Sequence, residues 1–297
     1  MSSASTNLLI TGANGQVGRE LQFLSADFPE LNFLFADRER LDITVEAAVN
    51  EFFTDNNIGY CVNCAAYTAV DKAESDAENA WRINALGAGL LASACAARQI
   101  QLIHLSSDYV YHNEKNTPLQ ETDVTNPKGT YAKTKLQGEE LVRRHHPGSS
   151  MILRTSWVYS SFGNNFVKTM LRLGKERKEL GVVFDQIGTP TYARDLARTM
   201  LRLIQRVETG KLDKSALNGI YNYSNEGVAS WYDFAEAIFE LRGMEVKLRA
   251  IESKDFPTPA ERPGFSVLNK RKMKERFSIE IPHWRASLRS CLDEMAS

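Results

Sequence analysis

The sequence contains no apolar segment near the roughly 20 residues that a membrane-spanning helix needs. It also lacks an excess of one charge, because 36 Lys and Arg stand against 37 Asp and Glu in 297 residues, a formal net charge of -1. A balanced chain creates no strong field toward nucleic acid or an anionic membrane. We therefore expect neither nucleic acid nor a membrane to be a partner of this protein.

Cysteine is scarce, with four residues in the whole chain, too few to suggest a disulfide framework. Cys61 and Cys64 form a CxxC pair, but no second pair or suitable histidine pair completes a zinc site, so we expect both in the core. Residues 1–7 are polar, without a basic stretch followed by an apolar core, and do not predict a signal peptide. Together these absences predict a protein of the reducing cytoplasm.

The first half of the chain alternates short apolar runs with helical patterns. Such an alternation predicts right-handed crossovers and an α/β fold, a Rossmann-like doubly wound parallel sheet with ligands at the carboxyl ends of its strands. The predicted strands are residues 8–10, 32–36, 60–64, 101–105 and 151–153, and the predicted helices are residues 17–25, 45–55, 77–98 and 132–145.

The second half is less regular and predicts a smaller C-terminal substrate domain. Its predicted elements are helices at residues 165–178, 194–207 and 231–241 and a strand at 246–251, followed by a loop that is too rich in proline for regular structure. We expect a dinucleotide-binding domain of residues 1–160 with about 180–222, and a substrate-binding domain of about 161–179 with 223–297.

Three glycines follow the first predicted strand and open the first helix, in the spacing GxxGxxG. Gly12 permits a tight turn, Gly15 lets the backbone approach a pyrophosphate, and Gly18 allows close packing of the helix on the strand. The N–H groups at the helix N-terminus would then face the phosphates. This pattern predicts a dinucleotide site.

The second predicted strand ends before Asp37 and Arg38. An acidic residue here can accept hydrogen bonds from the adenosine ribose, whereas an arginine can pair with a 2′-phosphate, so the choice between NADH and NADPH stays open. Further cofactor contacts are expected after the second and third strands, from Asp42, Ile43, Ala65 and Ala66.

Tyr131 and Lys135 form a YxxxK pair where the helix before the fifth strand begins. Residues i and i+4 share a helix face, and a nearby ammonium is expected to lower the pKa of a phenol from about 10. This predicts Tyr131 as the general acid of a carbonyl reduction. Tyr111 and Lys115 have the same spacing but lie in a predicted loop, so we expect no catalysis there. Ser107, at the end of the fourth strand, is predicted to orient the substrate carbonyl.

These motifs together resemble the extended short-chain dehydrogenase/reductases and, within them, the dTDP-4-dehydrorhamnose reductase family. The resemblance runs from residue 8 to about residue 295. It is carried by TGANGQVG (11–18), NCAAYTAVDKAES (63–75), SSDYVY (106–111), YAKTKLQGE (131–139), RTSWVY (154–159), GNNFVKTMLRL (163–173) and RPGFSVLN (262–269).

The resemblance implies a role for several single residues. Tyr131 would be the proton donor, and Lys135 would also hold the nicotinamide ribose. Ser107 stands where the family often has threonine, which keeps the hydroxyl. Gly15, Gln16, Val17, Asp37, Asp42, Ile43, Ala65 and Ala66 fall at cofactor positions, and Asp108 and Trp157 fall at sugar-nucleotide contacts.

The resemblance implies reduction of the C4 keto group of dTDP-4-dehydro-L-rhamnose by NADPH or NADH. A different dTDP-4-keto-6-deoxy sugar, or a non-catalytic regulatory subunit that binds cofactor, are the alternatives. A nucleotide sugar needs a diphosphate site outside the glycine loop, and Arg262 in the proline-rich loop is our candidate, because an arginine fork suits phosphate oxygens.

One departure from the family concerns a magnesium ion, held by glutamates, through which some members dimerise. Glu20 and Glu294 match two of its ligands, but Arg194 stands where another glutamate would be. We therefore expect no metal, and a monomer or a weak homodimer.

Overall fold

A computed structural model describes residues 7–112 and 114–296 of the chain. Residues 1–6, which carry most of the expectation about a signal peptide, lie outside these ranges. The strands are β1 Asn7–Thr11, β2 Asn32–Ala36, β3 Ile58–Asn63, β4 Gln101–Ser107, β5 Ser150–Thr155, β6 Val158–Tyr159, β7 Glu179–Val183, β8 Ile187–Gly188, β9 Thr191–Tyr192, β10 Gly219–Asn222, β11 Ala229–Ser230 and β12 Lys247–Ile251. The helices are α1 Gln16–Leu24, α2 Glu46–Asp55, α3 Val70–Ala73, α4 Ala77–Trp81, α5 Ala88–Ala97, α6 Gly129–His145, α7 Phe166–Glu176, α8 Ala193–Glu208, α9 Trp231–Leu241, α10 Arg271–Phe277 and α11 Trp284–Ala296.

The centre of the fold is a six-stranded parallel sheet in the order β2-β1-β3-β4-β5-β10. The chain adds β2 on one side of β1 and then crosses back to add β3 on the other side. The direction in which strands are added therefore reverses between β1 and β3. Ligands of doubly wound sheets bind at such a reversal, outside the carboxyl ends of the strands. The predicted Rossmann-like α/β fold is confirmed.

Two apolar layers cover the sheet because successive strand residues point to opposite faces. Ile10 of β1 packs with α1, α8 and α10, whereas Leu9 packs with α2, α5 and α6. Helix α8 shows why such a segment forms a covering helix: Leu196, Met200 and Leu203 are buried at spacings of four and three residues. Each fully buried side chain of this kind contributes about 1.5–3 kcal/mol.

The helix predicted over residues 77–98 is interrupted by a π-helical turn, Arg82–Gly87, between α4 and α5. The prediction of one continuous α-helix is wrong there. Helix α6 lies against this turn so closely that a Cβ on Gly138 would stand 2.1 Å from the Asn84 carbonyl oxygen. The Asn84 amide in turn donates to Thr134 Oγ1 of α6 at 3.1 Å, so the wider turn anchors α6.

A second apolar core lies among α7, α9, α11 and the short strands β6, β7 and β9. The β7–β12 pair is parallel, and the strand predicted at residues 246–251 is confirmed as β12. The division into a dinucleotide-binding and a substrate-binding domain at the predicted residues stays a prediction. None of the helices within residues 7–112 and 114–296 has the length and apolar character needed to cross a bilayer.

Candidate active site

The glycine loop lies at the winding reversal, between the ends of β1 and β3. Gly12 has a φ of 62°, and a Cβ there would stand 2.6 Å from the Ala65 amide nitrogen. A Cβ on Gly18 would stand 2.4 Å from the Gly12 carbonyl oxygen. Both positions therefore require glycine for the backbone packing, whereas Gly15 precedes α1 with ordinary extended backbone, and its contact with phosphate stays a prediction.

A cavity of about 640 Å³ opens over this loop. Its walls combine backbone of the loop with apolar side chains, and the N-terminus of α1 lies beside it, so the residues present fit a dinucleotide. Of the predicted cofactor residues, those that line it are Gly12, Gly15, Asp37, Arg38, Asp42, Ile43, Ala65 and Ala66. Asn14, Thr44 and Ile83 also line it and were not predicted.

Charged residues stand at the rim of this cavity. Asp37 accepts hydrogen bonds from the Arg40 amide at 3.0 Å and from Asn14 Nδ2 at 2.9 Å, which orient its carboxylate. The Arg38 side chain is 82% exposed and pairs with Asp42 at 3.6 Å. A surface pair of this kind is weak, so Arg38 can turn toward a 2′-phosphate at little cost.

A second cavity, of about 620 Å³, shares Asn14, Gly15, Cys64 and Ala66 with the first, so the two are continuous. The predicted residues that line it come from the ends of β4 and β5, from α6 and from the glycine loop. They are Gln16, Val17, Ser107, Asp108, Tyr131, Lys135 and Trp157.

The phenol of Tyr131 lies in this second cavity. Burial raises its pKa to about 12, the charge of Asp108 acts in the same direction, and a hydrogen bond with Ser107 opposes both. The prediction that Lys135 lowers this pKa is wrong for this structure. The Lys135 ammonium instead donates to the Leu105 carbonyl at 2.7 Å, so it is directed at the backbone of β4.

Lys135 is 2% exposed, and burial lowers its pKa to about 8, although the charge of Glu139 acts in the opposite direction. Glu139 is itself buried and accepts bonds from the Arg154 guanidinium at 2.9 and 2.6 Å and from the Ser106 hydroxyl at 2.5 Å. A buried charged network with its partners satisfied holds its members in one geometry. Helix α6 is thereby fastened to β4 and β5 directly below the cavity.

Ser107 and Asp108 form a hydrogen-bonded pair at the end of β4. The Ser107 hydroxyl donates to Asp108 Oδ1 at 3.0 Å and accepts from the Tyr109 amide at 3.2 Å. Asp108 is 2% exposed, and this burial raises its pKa to about 6. The hydroxyl predicted to orient a carbonyl therefore already has a buried carboxylate as its acceptor.

Trp157 lines the second cavity. Its φ of 46° is unusual for a large side chain, and its ring stacks on Trp231 with centroids 3.6 Å apart. A Cβ on Gly188 would stand 2.7 Å from the Trp157 ring, so glycine is needed for this packing. Trp231 was not predicted, because it lies 74 residues further along the chain at the start of α9, outside any motif that we assigned.

Arg262 lies at the proline-rich loop and pairs with Asp71, through two contacts of 2.7 Å between its Nη atoms and the two carboxylate oxygens. The Ala260 amide donates to the same carboxylate at 3.1 Å. Hydrogen bonds from Arg262 lower the pKa of Asp71. The pair thus fastens the loop to α3, and Arg262 is not among the residues that line the second cavity.

Three further residue groups adopt arrangements relevant to the predictions. The Arg194 guanidinium lies between Glu20, at 2.7 Å, and Glu294, where the resemblance implied metal ligands; the absence of a metal stays a prediction.

Tyr111 lies outside any helix, and its hydroxyl donates to Asn222 at 2.9 Å. Cys61 and Cys64 contact the cores on opposite faces of the sheet, as predicted.

Comparison with known proteins gives consistent results along the chain. The family model described as RmlD substrate binding domain matches residues 6–297. The dTDP-4-dehydrorhamnose reductase of Aggregatibacter actinomycetemcomitans is 40% identical over 289 residues, covering 95% of this chain and 97% of that protein. Solved dTDP-4-dehydrorhamnose reductases from Clostridium acetobutylicum ATCC 824 and, in complex with NADP, Bacillus anthracis str. Ames both align with TM-score 0.91, at 40% and 36% identity, over 98% of this chain and 100% of theirs.

Proposed function

This chain belongs to the RmlD substrate binding domain family, and from that premise we propose that it reduces the C4 keto group of dTDP-4-dehydro-L-rhamnose to give dTDP-L-rhamnose, with NADPH or NADH. The observation that carries the proposal is the continuity of the glycine-loop cavity with the cavity that contains Tyr131 and Ser107. A cofactor and a carbonyl substrate can therefore meet beside the Tyr131 phenol. A reduced nicotinamide, when bound, supplies the hydride.

Tyr131 is proposed to donate its proton to the C4 oxygen as negative charge develops there. A pKa of about 12 keeps the phenol protonated at neutral pH, and a sugar alkoxide is more basic still, so transfer of the proton is favourable. Tyr109 packs edge-on against the Tyr131 ring, with centroids 5.6 Å apart, which limits its rotation. These features support Tyr131 as the general acid.

Lys135 and Ser107 are proposed to assist this step in different ways. The ammonium of Lys135, held at the Leu105 carbonyl, would hold the ribose of the cofactor. The Ser107 hydroxyl bonds to the C4 oxygen and orients the carbonyl, for which its proton must turn away from Asp108. Gly12, Gly15 and the α1 N-terminus would hold the pyrophosphate.

The test uses the purified protein with dTDP-4-dehydro-L-rhamnose and either NADPH or NADH, each with and without EDTA. We expect oxidation of the cofactor, dTDP-L-rhamnose as the product by NMR, and rates that the chelator does not change. Turnover only of another 4-keto sugar would correct the substrate. Tight cofactor binding without turnover of any keto sugar would favour a regulatory subunit instead.

We further propose that the protein acts in the cytoplasm as a monomer or a weak homodimer. The internal pairing of Arg194 with Glu20 and Glu294 supports this, because both carboxylates already have a guanidinium partner within one chain. Light scattering over a range of protein concentrations, with and without magnesium, measures the oligomeric state. A dimer that forms only with magnesium would contradict the proposal.

A further inference from the structure

A buried hydroxyl at the second cavity has no hydrogen-bond partner among the described residues. Thr155 ends β5, is 7% exposed and lines the cavity together with Ser107 and Tyr131. Its Oγ1 makes no hydrogen bond to any of the residues within 7–112 and 114–296. Buried polar groups are almost always hydrogen-bonded, so an exception that faces a cavity points to a ligand group as its partner.

The next residue along the chain differs from Thr155 in this respect. Ser156 is also buried, yet its hydroxyl donates to the Thr189 carbonyl at 2.8 Å and is satisfied. Asp108, on the neighbouring strand end, likewise has a buried Oδ2 without a hydrogen-bond partner among the described residues. Thr155 and Asp108 both line the second cavity.

The register of the sheet places Thr155 close to the reacting carbonyl. Thr155 is the direct partner of Ser107 in the β4–β5 pair, and neighbouring strands lie about 4.8 Å apart. Ser107 and Tyr131 in turn both line the second cavity. A substrate whose carbonyl oxygen meets Tyr131 and Ser107 thus presents the substituent of an adjacent carbon to Thr155.

We propose that Thr155 is a specificity-determining residue that binds the hydroxyl on the carbon next to the reacting carbonyl. This inference rests on the proposed function, in which the neighbours of C4 are C3, with a hydroxyl, and C5, with a methyl group. Of these two substituents, only the C3 hydroxyl can form a hydrogen bond with Thr155 Oγ1. A sugar without that hydroxyl leaves the buried Thr155 hydroxyl unpaired and is discriminated against.

The test compares Thr155→Val with Thr191→Val, each assayed on the 4-keto sugar nucleotide and on its 3-deoxy analogue. Thr191 is a matched control, because it is fully buried and its hydroxyl also lacks a partner among the described residues, but it does not line either cavity. We expect Thr155→Val to lower kcat/KM for the hydroxylated substrate by about tenfold, the effect of one lost hydrogen bond. It should leave kcat/KM for the 3-deoxy analogue nearly unchanged, and Thr191→Val should leave both unchanged.

Equal losses on both substrates, or no loss in Thr155→Val, would overturn the inference. Calorimetric titration of dTDP-L-rhamnose and its 3-deoxy counterpart separates this outcome from a failure of the proposed function, because it needs no turnover. Selective loss of affinity for the hydroxylated ligand in Thr155→Val supports the inference even if the wild type reduces a different sugar. Absence of binding of either ligand to the wild type would overturn both proposals. Thermal unfolding of both variants verifies that each is folded.

Discussion

The two cavities that meet at Gly15 are nearly equal in volume but differ in construction. The cofactor-side cavity is formed by residues 12–66 together with Ile83, whereas the substrate-side cavity draws on residues from Asn14 to Trp231. The first is built from the glycine loop and from polar and apolar residues that follow adjacent strands. The second depends on side chains that only folding brings together, so its chemistry is more sensitive to distant packing.

The two cavities also differ in which features of the residues around them are unusual for a protein interior. On the cofactor side the departure is in the backbone, where Gly12 adopts a positive φ against Ala65. The substrate side also has an unusual backbone conformation, at Trp157, and departs in ionisation and hydrogen bonding as well: burial raises the pKa of Tyr131 and Asp108, and Thr155 Oγ1 has no partner among the described residues. Binding a shared cofactor needs shape, whereas reacting with one sugar needs buried polar groups that cost stability until the substrate arrives.

The largest effect is expected from the substrate-side phenol. Tyr131→Phe should lower kcat by roughly 10²-fold or more, the scale of lost general acid catalysis, without changing cofactor affinity. Tyr111→Phe is the matched control, since Tyr111 has the same spacing to a lysine but donates to Asn222 away from the cavity. Steady-state kinetics of both variants checks this, and equal losses in the two would refute the assignment of Tyr131.

Cofactor binding is tested by adding a side chain at Gly15, where the backbone is expected to contact phosphate. Gly15→Val should weaken cofactor binding by about 10²-fold, because a branched side chain blocks the approach of the pyrophosphate. Gly148→Val is the control, because a Cβ at Gly148 meets nothing within 4 Å. Fluorescence titration with NADPH measures both variants, and unchanged affinity in a folded Gly15→Val protein would show that the phosphates bind elsewhere.

Arg262 tests whether the substrate side extends to the proline-rich loop. Arg262→Ala should weaken sugar-nucleotide binding by roughly 1.5–3 kcal/mol, the range of charge-assisted hydrogen bonds, with cofactor affinity nearly unchanged. Asp71→Asn loosens the same ion pair but keeps the guanidinium, so its effect should be smaller. If calorimetry shows equal losses in the two variants, Arg262 acts only by fastening the loop.

The smallest effect is expected in stability, from Asp108. Its pKa in the folded protein, about 6, lies above the ordinary value of 3.8, so the contribution of Asp108 to stability is present at low pH and lost as pH rises through about 6. Between pH 4 and 7 the wild type should lose roughly 2 kcal/mol relative to Asp108→Asn. Denaturant unfolding of both proteins over this range measures the difference.

Asp123→Asn is a control for which the opposite pH dependence of stability is expected. Hydrogen bonds from Lys115 and the Gln120 amide lower the pKa of Asp123, although partial burial opposes them, so its ionised form stabilises the fold. That stability is present above the ordinary pKa and lost as pH falls. The same trend in both Asp variants would contradict the raised pKa of Asp108.

Prediction from sequence succeeded where the signal was local. The bounds predicted for β2 and α9 are those observed, because apolar periodicity and, for α9, the Ser230 cap act within one element. The π turn at Arg82–Gly87 was not predicted, since it accompanies the packing of α6 through Gly138. Most of the predicted cofactor residues line the first cavity because they follow adjacent strands. Trp231, which lines the second cavity, lies outside every motif, and Thr155 lies in the RTSWVY motif but was given no role.

By itself, the sequence determined the alternation of strands and helices, the glycine spacing at β1 and the YxxxK pair, because each depends on residues within one or two turns of the chain. Tertiary structure decided the electrostatics of the site. The Lys135 ammonium donates to the Leu105 carbonyl, and Asp71 pairs with Arg262, which lies 191 residues further along the chain. Burial and charge act through space and sum over all neighbours, so the pKa of Tyr131 is set by side chains that no local pattern specifies.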